Sequence, residues 1–67
     1  MVSDLDVYRC AQMILRQHGD EAALFAAERA DALLTAGDVE GQAVWKRVLR
    51  AVVELQQQEP VAGQRLS

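Results

Sequence analysis

Cysteine, histidine and proline occur once each in the 67 residues, as Cys10, His18 and Pro60, and each scarcity closes off a class of protein. A single cysteine rules out a disulfide framework within the chain. One cysteine and one histidine fall short of the four ligands of a zinc site unless carboxylates or a second chain complete the set. Long apolar runs are lacking as well. Asp4, Asp6, Arg9, Gln12, Arg16 and Gln17 break up the first thirty residues, so no segment there has the length of a signal peptide or a membrane span. The expectation is a soluble, cytoplasmic protein with no membrane partner, and a lone reduced cysteine fits that compartment. A cationic excess is missing too. Ten acidic against seven basic residues give a net charge of −3, which repels nucleic acid and anionic lipid at long range and leaves only local patches to override it.

Reactive constellations are equally scarce. The chain contains no Gly-rich phosphate loop, no paired-cysteine metal spacing and no His-Glu-x-x-His arrangement, so no cofactor and no metal are expected. Cys10 and His18 are eight residues apart, about 12 Å along a helix at 1.5 Å per residue, too far for a hydrogen-bonded thiolate pair. Cys10 therefore reads as a small core residue. His18 reads as a helix-terminal residue favoured by the helix dipole, with a metal shared across a dimer interface as the alternative. No general acid, base and nucleophile can be assembled from these types and spacings, so an enzyme is not expected.

What the chain does have is repeated punctuation. Gly19-Asp20 and Gly37-Asp38 each stand between an ending helical pattern and a beginning one; glycine closes a helix in the left-handed region, and aspartate can accept from the free amides opening the next. This predicts an all-α fold, a small three-helix bundle with tight Gly-Asp connections, as a single domain over residues 1–58 followed by a disordered tail over 59–67. Proline disfavours helix in the residue before it, so Glu59-Pro60 marks the end.

The first helix is predicted from about Asp4 to His18, capped by Ser3, with Val7, Tyr8, Cys10, Ala11, Ile14 and Leu15 on its core face. Leu5 and Met13 lie off that stripe. The second, from about Glu21 to Ala36, carries seven alanines spread almost all round, which suggests a central helix flanked by both others. Arg29 falls on its Phe25 and Leu33 side and must snorkel to the rim or find a carboxylate such as Asp4, Asp6 or Asp38. The third, from about Val39 to Gln58, sets Val44, Trp45, Val48, Leu49, Val52 and Leu55 against Lys46, Arg47, Arg50 and Glu54. Gly41 within the apolar face suggests that another helix passes close over the first turn. The hairpin over residues 32–53 has the look of one tetratricopeptide-type unit, but one hairpin is not an array.

A 67-residue chain buries only about 60% of its unfolded surface, so stability must come from good packing or self-association. The off-stripe Leu5, Met13 and Leu24 are candidate partner contacts. So are Lys46, Arg47 and Arg50, whose basic face invites comparison with a DNA-reading helix. That comparison is weak, because the first turns hold Val39, Glu40, Gly41, Gln42 and Ala43, with acidic residues where phosphate would lie. Trp45 and Tyr8 suit either the edge of the core or the centre of an interface.

The stretches Arg16-Gln17-His18-Gly19-Asp20, Arg29-Ala30-Asp31-Ala32-Leu33-Leu34, Ala36-Gly37-Asp38, Gly41 and Trp45-Lys46-Arg47-Val48 together resemble a domain-of-unknown-function family of short, uncharacterised all-helical proteins from proteobacterial genomes. The resemblance covers about residues 4 to 56 and implies an intact small protein. It carries over no substrate, cofactor or catalytic residue. The function expected is thus a non-enzymatic protein–protein interaction module or accessory subunit, with a protein partner or a homodimer. The alternative is a small nucleic-acid-associated regulator using Lys46, Arg47 and Arg50.

Overall fold

The computed structural model describes residues 3–58. Among them there is no strand: α1 spans Asp4–His18, α2 spans Ala22–Thr35 and α3 spans Val39–Gln58, with a single 3-10 turn, Gly19–Glu21, between the first two. The chain is therefore helical almost without interruption from Asp4 to Thr35, and the 20-residue α3 follows after the Gly37 turn. The expected tail, 59–67, lies outside the described residues.

Local chemistry accounts for most helix ends. Ser3 caps α1, its hydroxyl accepting from the Asp6 amide at 3.1 Å, while Asp4 and Asp6 in the first turn and Arg16 and His18 in the last complement the helix dipole. At the far end of α2, Gly37 adopts φ 82°. Its amide donates to the Leu34 carbonyl at 3.0 Å and the Asp38 amide to that of Leu33 at 2.9 Å, the paired bonds of a Schellman ending. Asp38 then opens α3, accepting from the Gly41 amide at 2.9 Å.

The two Gly-Asp pairs do not behave alike. Gly19 has φ 58° and ψ −126°, outside the left-handed helical well, and the chain continues through the 3-10 turn. The residue that starts α2 is Glu21, without a capping side-chain hydrogen bond. Gly41 also differs from expectation. A Cβ there would meet Asp38 Oδ2 at 2.6 Å and Cγ at 2.9 Å, so its neighbour is the capping carboxylate of its own helix and not a crossing one.

The core is assembled from small side chains. Val7, Ala11 and Ile14 of α1, Ala22, Ala26 and Ala30 of α2, and Val48, Ala51 and Val52 of α3 are its buried members. The three α2 alanines, four residues apart, form one stripe that lets α3 approach closely. The shared partner is α3, which packs most extensively on α2 and next on α1, whereas α1 and α2 touch little. The alanine-rich helix is accordingly not the central one: its composition favours helix formation but does not decide which neighbour each face meets. Asp4 contacts Arg47, and Tyr8 contacts Glu54 further along, so α1 and α3 run in the same sense, with α2 antiparallel between them in chain order.

Candidate functional site

Larger side chains line the joints between helices. At the α2–α3 joint, the Phe25 ring meets the edge of Trp45 with centroids 6.0 Å apart and stacks on His18 at 4.2 Å. The Arg29 guanidinium lies over the Trp45 ring, 5.8 Å from its centroid. Arg29 is exposed, so it reaches the rim as expected, and its companion there is an aromatic face. His18 is thus occupied by packing. Both Cys10 and His18 belong to α1, two turns apart.

Burial raises the pKa of the half-buried Cys10 thiol. That favours the neutral thiol over the nucleophilic thiolate. Among the described residues, no group of three or more His, Cys, Asp or Glu comes together to hold a metal, and no helix is long and apolar enough to cross a membrane.

The α1–α3 joint carries the polar cluster. An open cleft of about 200 Å³ is lined by Asp4, Val7, Tyr8, Arg47, Arg50, Ala51 and Glu54. Arg47 forms an ion pair with Asp4, and the Tyr8 hydroxyl donates to Glu54 Oε1 at 2.7 Å. The Tyr8 pKa is raised above the ordinary phenol value, first by that hydrogen bond and then by the charge of Glu54, with smaller contributions from burial and Asp4. Both polar contacts are exposed, so each contributes little to stability and more to holding α1 in register on α3.

Lys46, Arg47 and Arg50 thus share the outer side of α3, but Asp4 and Glu54 are set among them, and the surface is mixed in charge. Leu5 and Met13 face outward on α1, 60% and 50% exposed, and Leu24 is 57% exposed on α2, opposite the alanine stripe. The six residues do not converge on one site. Sequence reasoning missed the Tyr8–Glu54 and Asp4–Arg47 pairs. The available signal was a shared side, since Asp4 and Tyr8 stand one turn apart on one side of α1, and Arg47 and Glu54 two turns apart on one side of α3.

Residues 4–60 match the sequence profile described as Family of unknown function (DUF6961), which spans the helices and agrees in extent with the resemblance read from the motifs. No curated protein and no solved structure matches the chain.

Proposed function

The chain belongs to that family of unknown function, and we propose that its role is to bind protein: a small, non-enzymatic three-helix bundle that acts as an interaction module or accessory subunit and associates with itself. A bacterial, cytoplasmic setting is part of the same proposal: the bacterial part rests on the resemblance set out above, the cytoplasmic part on the interrupted apolar pattern and the lone cysteine. The observation that carries the reading is an inversion of size. Among the described residues every buried one is alanine, valine or isoleucine, while Leu5, Met13, Leu24, Leu34 and Val39 are each half exposed or more. Burying a leucine- or methionine-sized side chain is worth about 1.5–3 kcal/mol. A domain this small has a total stability of only a few kcal/mol, so the unburied residues are comparable with the whole. A partner surface would recover part of that. Nucleic acid is the less supported alternative, because Asp4 already engages Arg47 and the Glu54 carboxylate lines the same cleft as Arg50.

Sedimentation velocity over a range of micromolar concentrations tests this. The expected result is an average mass that rises with concentration and an unfolding midpoint that follows it. Leu24→Lys and Met13→Lys should weaken the association while leaving the helical circular dichroism unchanged. A well-folded monomer at every concentration, with unfolding independent of concentration, refutes self-association.

A further inference from the structure

The two joints differ in what holds them. Opening the Gly37 turn would forfeit the Schellman bonds that close α2 and the Asp38 cap that opens α3. The Gly19 joint has less to lose. Gly19 holds φ 58° and ψ −126°, a combination almost confined to glycine. A Cβ there would meet nothing within 4 Å, so backbone preference alone, not crowding, fixes the glycine. The α2 helix starts without a side-chain cap, and continuing α1 into α2 would offer carbonyls of the last turn of α1 to the first amides of α2. Finally, α1 makes most of its tertiary contacts with α3 and fewer with α2, so most of its docking surface lies on one helix.

We propose that the partner for α1 is a second copy of this chain: an arm-exchanged dimer in which residues 4–35 of each chain form one continuous helix and each α1 lies on the α3 of the other copy. This inference rests on the self-association reading and adds its mode. Exchange rebuilds the same α1–α3 interface between copies, with Val7, Ala11 and Ile14 packed with Val48, Ala51 and Val52 and Asp4 and Tyr8 meeting Arg47 and Glu54, so what changes is the hinge and the α1–α2 contacts beside it, the stacking of His18 on Phe25 among them. Straightening has a second effect. Met13 and Leu24 are eleven residues apart, about three helical turns, so on a continuous helix they fall within about 20° of one side. Two exposed residues that the bend keeps on separate helices then form an apolar strip beside the opened hinge.

The test uses the full chain. Gly19→Ala disfavours the bent backbone and favours continuous helix, so the dimer dissociation constant should fall by about a hundredfold. Gly37→Ala is the control and should lower the unfolding midpoint without enriching dimer. In the dimer fraction, Tyr8→Cys with Glu54→Cys in a Cys10→Ser background, joined by a short bismaleimide, distinguishes the arrangements. Exchange gives covalently linked chain pairs on denaturing electrophoresis. A dimer whose crosslinks fall within single chains overturns arm exchange and leaves self-association standing. Monomer throughout, in Gly19→Ala and in the concentrated native chain alike, overturns both.

Discussion

Asp38→Ala and Gly41→Ala, made singly and together, decide why a glycine occupies the first turn of α3. The Asp38 carboxylate accepts from the Gly41 amide at 2.9 Å, and a Cβ at position 41 would sit 2.6 Å from Oδ2 of the same carboxylate. Losing an aspartate cap costs about 0.5–2 kcal/mol, so Asp38→Ala alone should lower stability by about 1 kcal/mol. Gly41→Ala alone gains at most about 1 kcal/mol of helix propensity, but the carboxylate must swing aside and the cap loosens. The two effects offset, and the net change should lie near zero. With Asp38 already alanine nothing remains to displace, so Gly41→Ala should stabilise by up to about 1 kcal/mol. The coupling between the sites is therefore about 1 kcal/mol, the size that contacting residues show in such cycles. Urea titration of the four proteins measures it, and in a domain this small each kcal/mol moves the melting midpoint by roughly 4–8 °C. If Gly41→Ala destabilises equally in both backgrounds, another helix does lie over the first turn and the capping explanation fails.

Two further outcomes follow from the core and from the α1–α3 joint. Ala26 is fully buried on α2, the helix that packs most extensively on α3, so Ala26→Leu should cost about 1–3 kcal/mol by overpacking, read by denaturant titration; a neutral result would mean that α2 is not closely covered there. Tyr8 is the only tyrosine, so its phenolate absorbance can be titrated alone. It should ionise above the ordinary phenol pKa, and Glu54→Gln should bring the transition back down, since the hydrogen bond and charge of Glu54 are the chief causes of the shift. A folded pKa raised above the unfolded value means that the folded state holds its proton longer. The stabilising increment is thus whole below about pH 10, the unfolded tyrosine value, and is lost as pH rises through the folded pKa. An unchanged titration in Glu54→Gln would show that the contact does not form in solution.

Helix positions were legible because their signals are local. Ser3 caps α1 through its own side chain, and Gly37 with Asp38 ends one helix and starts the next. What failed was inference from a signal to its surroundings. Gly19-Asp20 reads the same as Gly37-Asp38, yet ψ at the glycine sends the chain into a 3-10 turn, and no dipeptide fixes ψ. Seven alanines suggested a helix covered on both sides, but an exposed alanine is as good a helix former as a buried one. Gly41 on the apolar side of α3 suggested a crossing that the capping carboxylate replaces. Tyr8 sits at the edge of the core, one of the two places its polar tip suited it for, 39% exposed, but the Glu54 carboxylate that its hydroxyl meets was not foreseen. Contacts between residues 46 apart depend on the sense and register of two helices, which periodicity within each one leaves open.

The placement of the two indole- and phenol-bearing residues gives each joint its own reporter. Trp45, the only tryptophan, is touched by Phe25 and Arg29 of α2, so its fluorescence follows the parting of α2 from α3. Tyr8 follows the parting of α1 from α3 through its bond to Glu54. Cooperative unfolding of the whole chain requires the two signals to change together. If the arm held through Gly19 lets go first, the tyrosine transition precedes the tryptophan transition, and the chain melts in two stages that its own chromophores resolve without any added label.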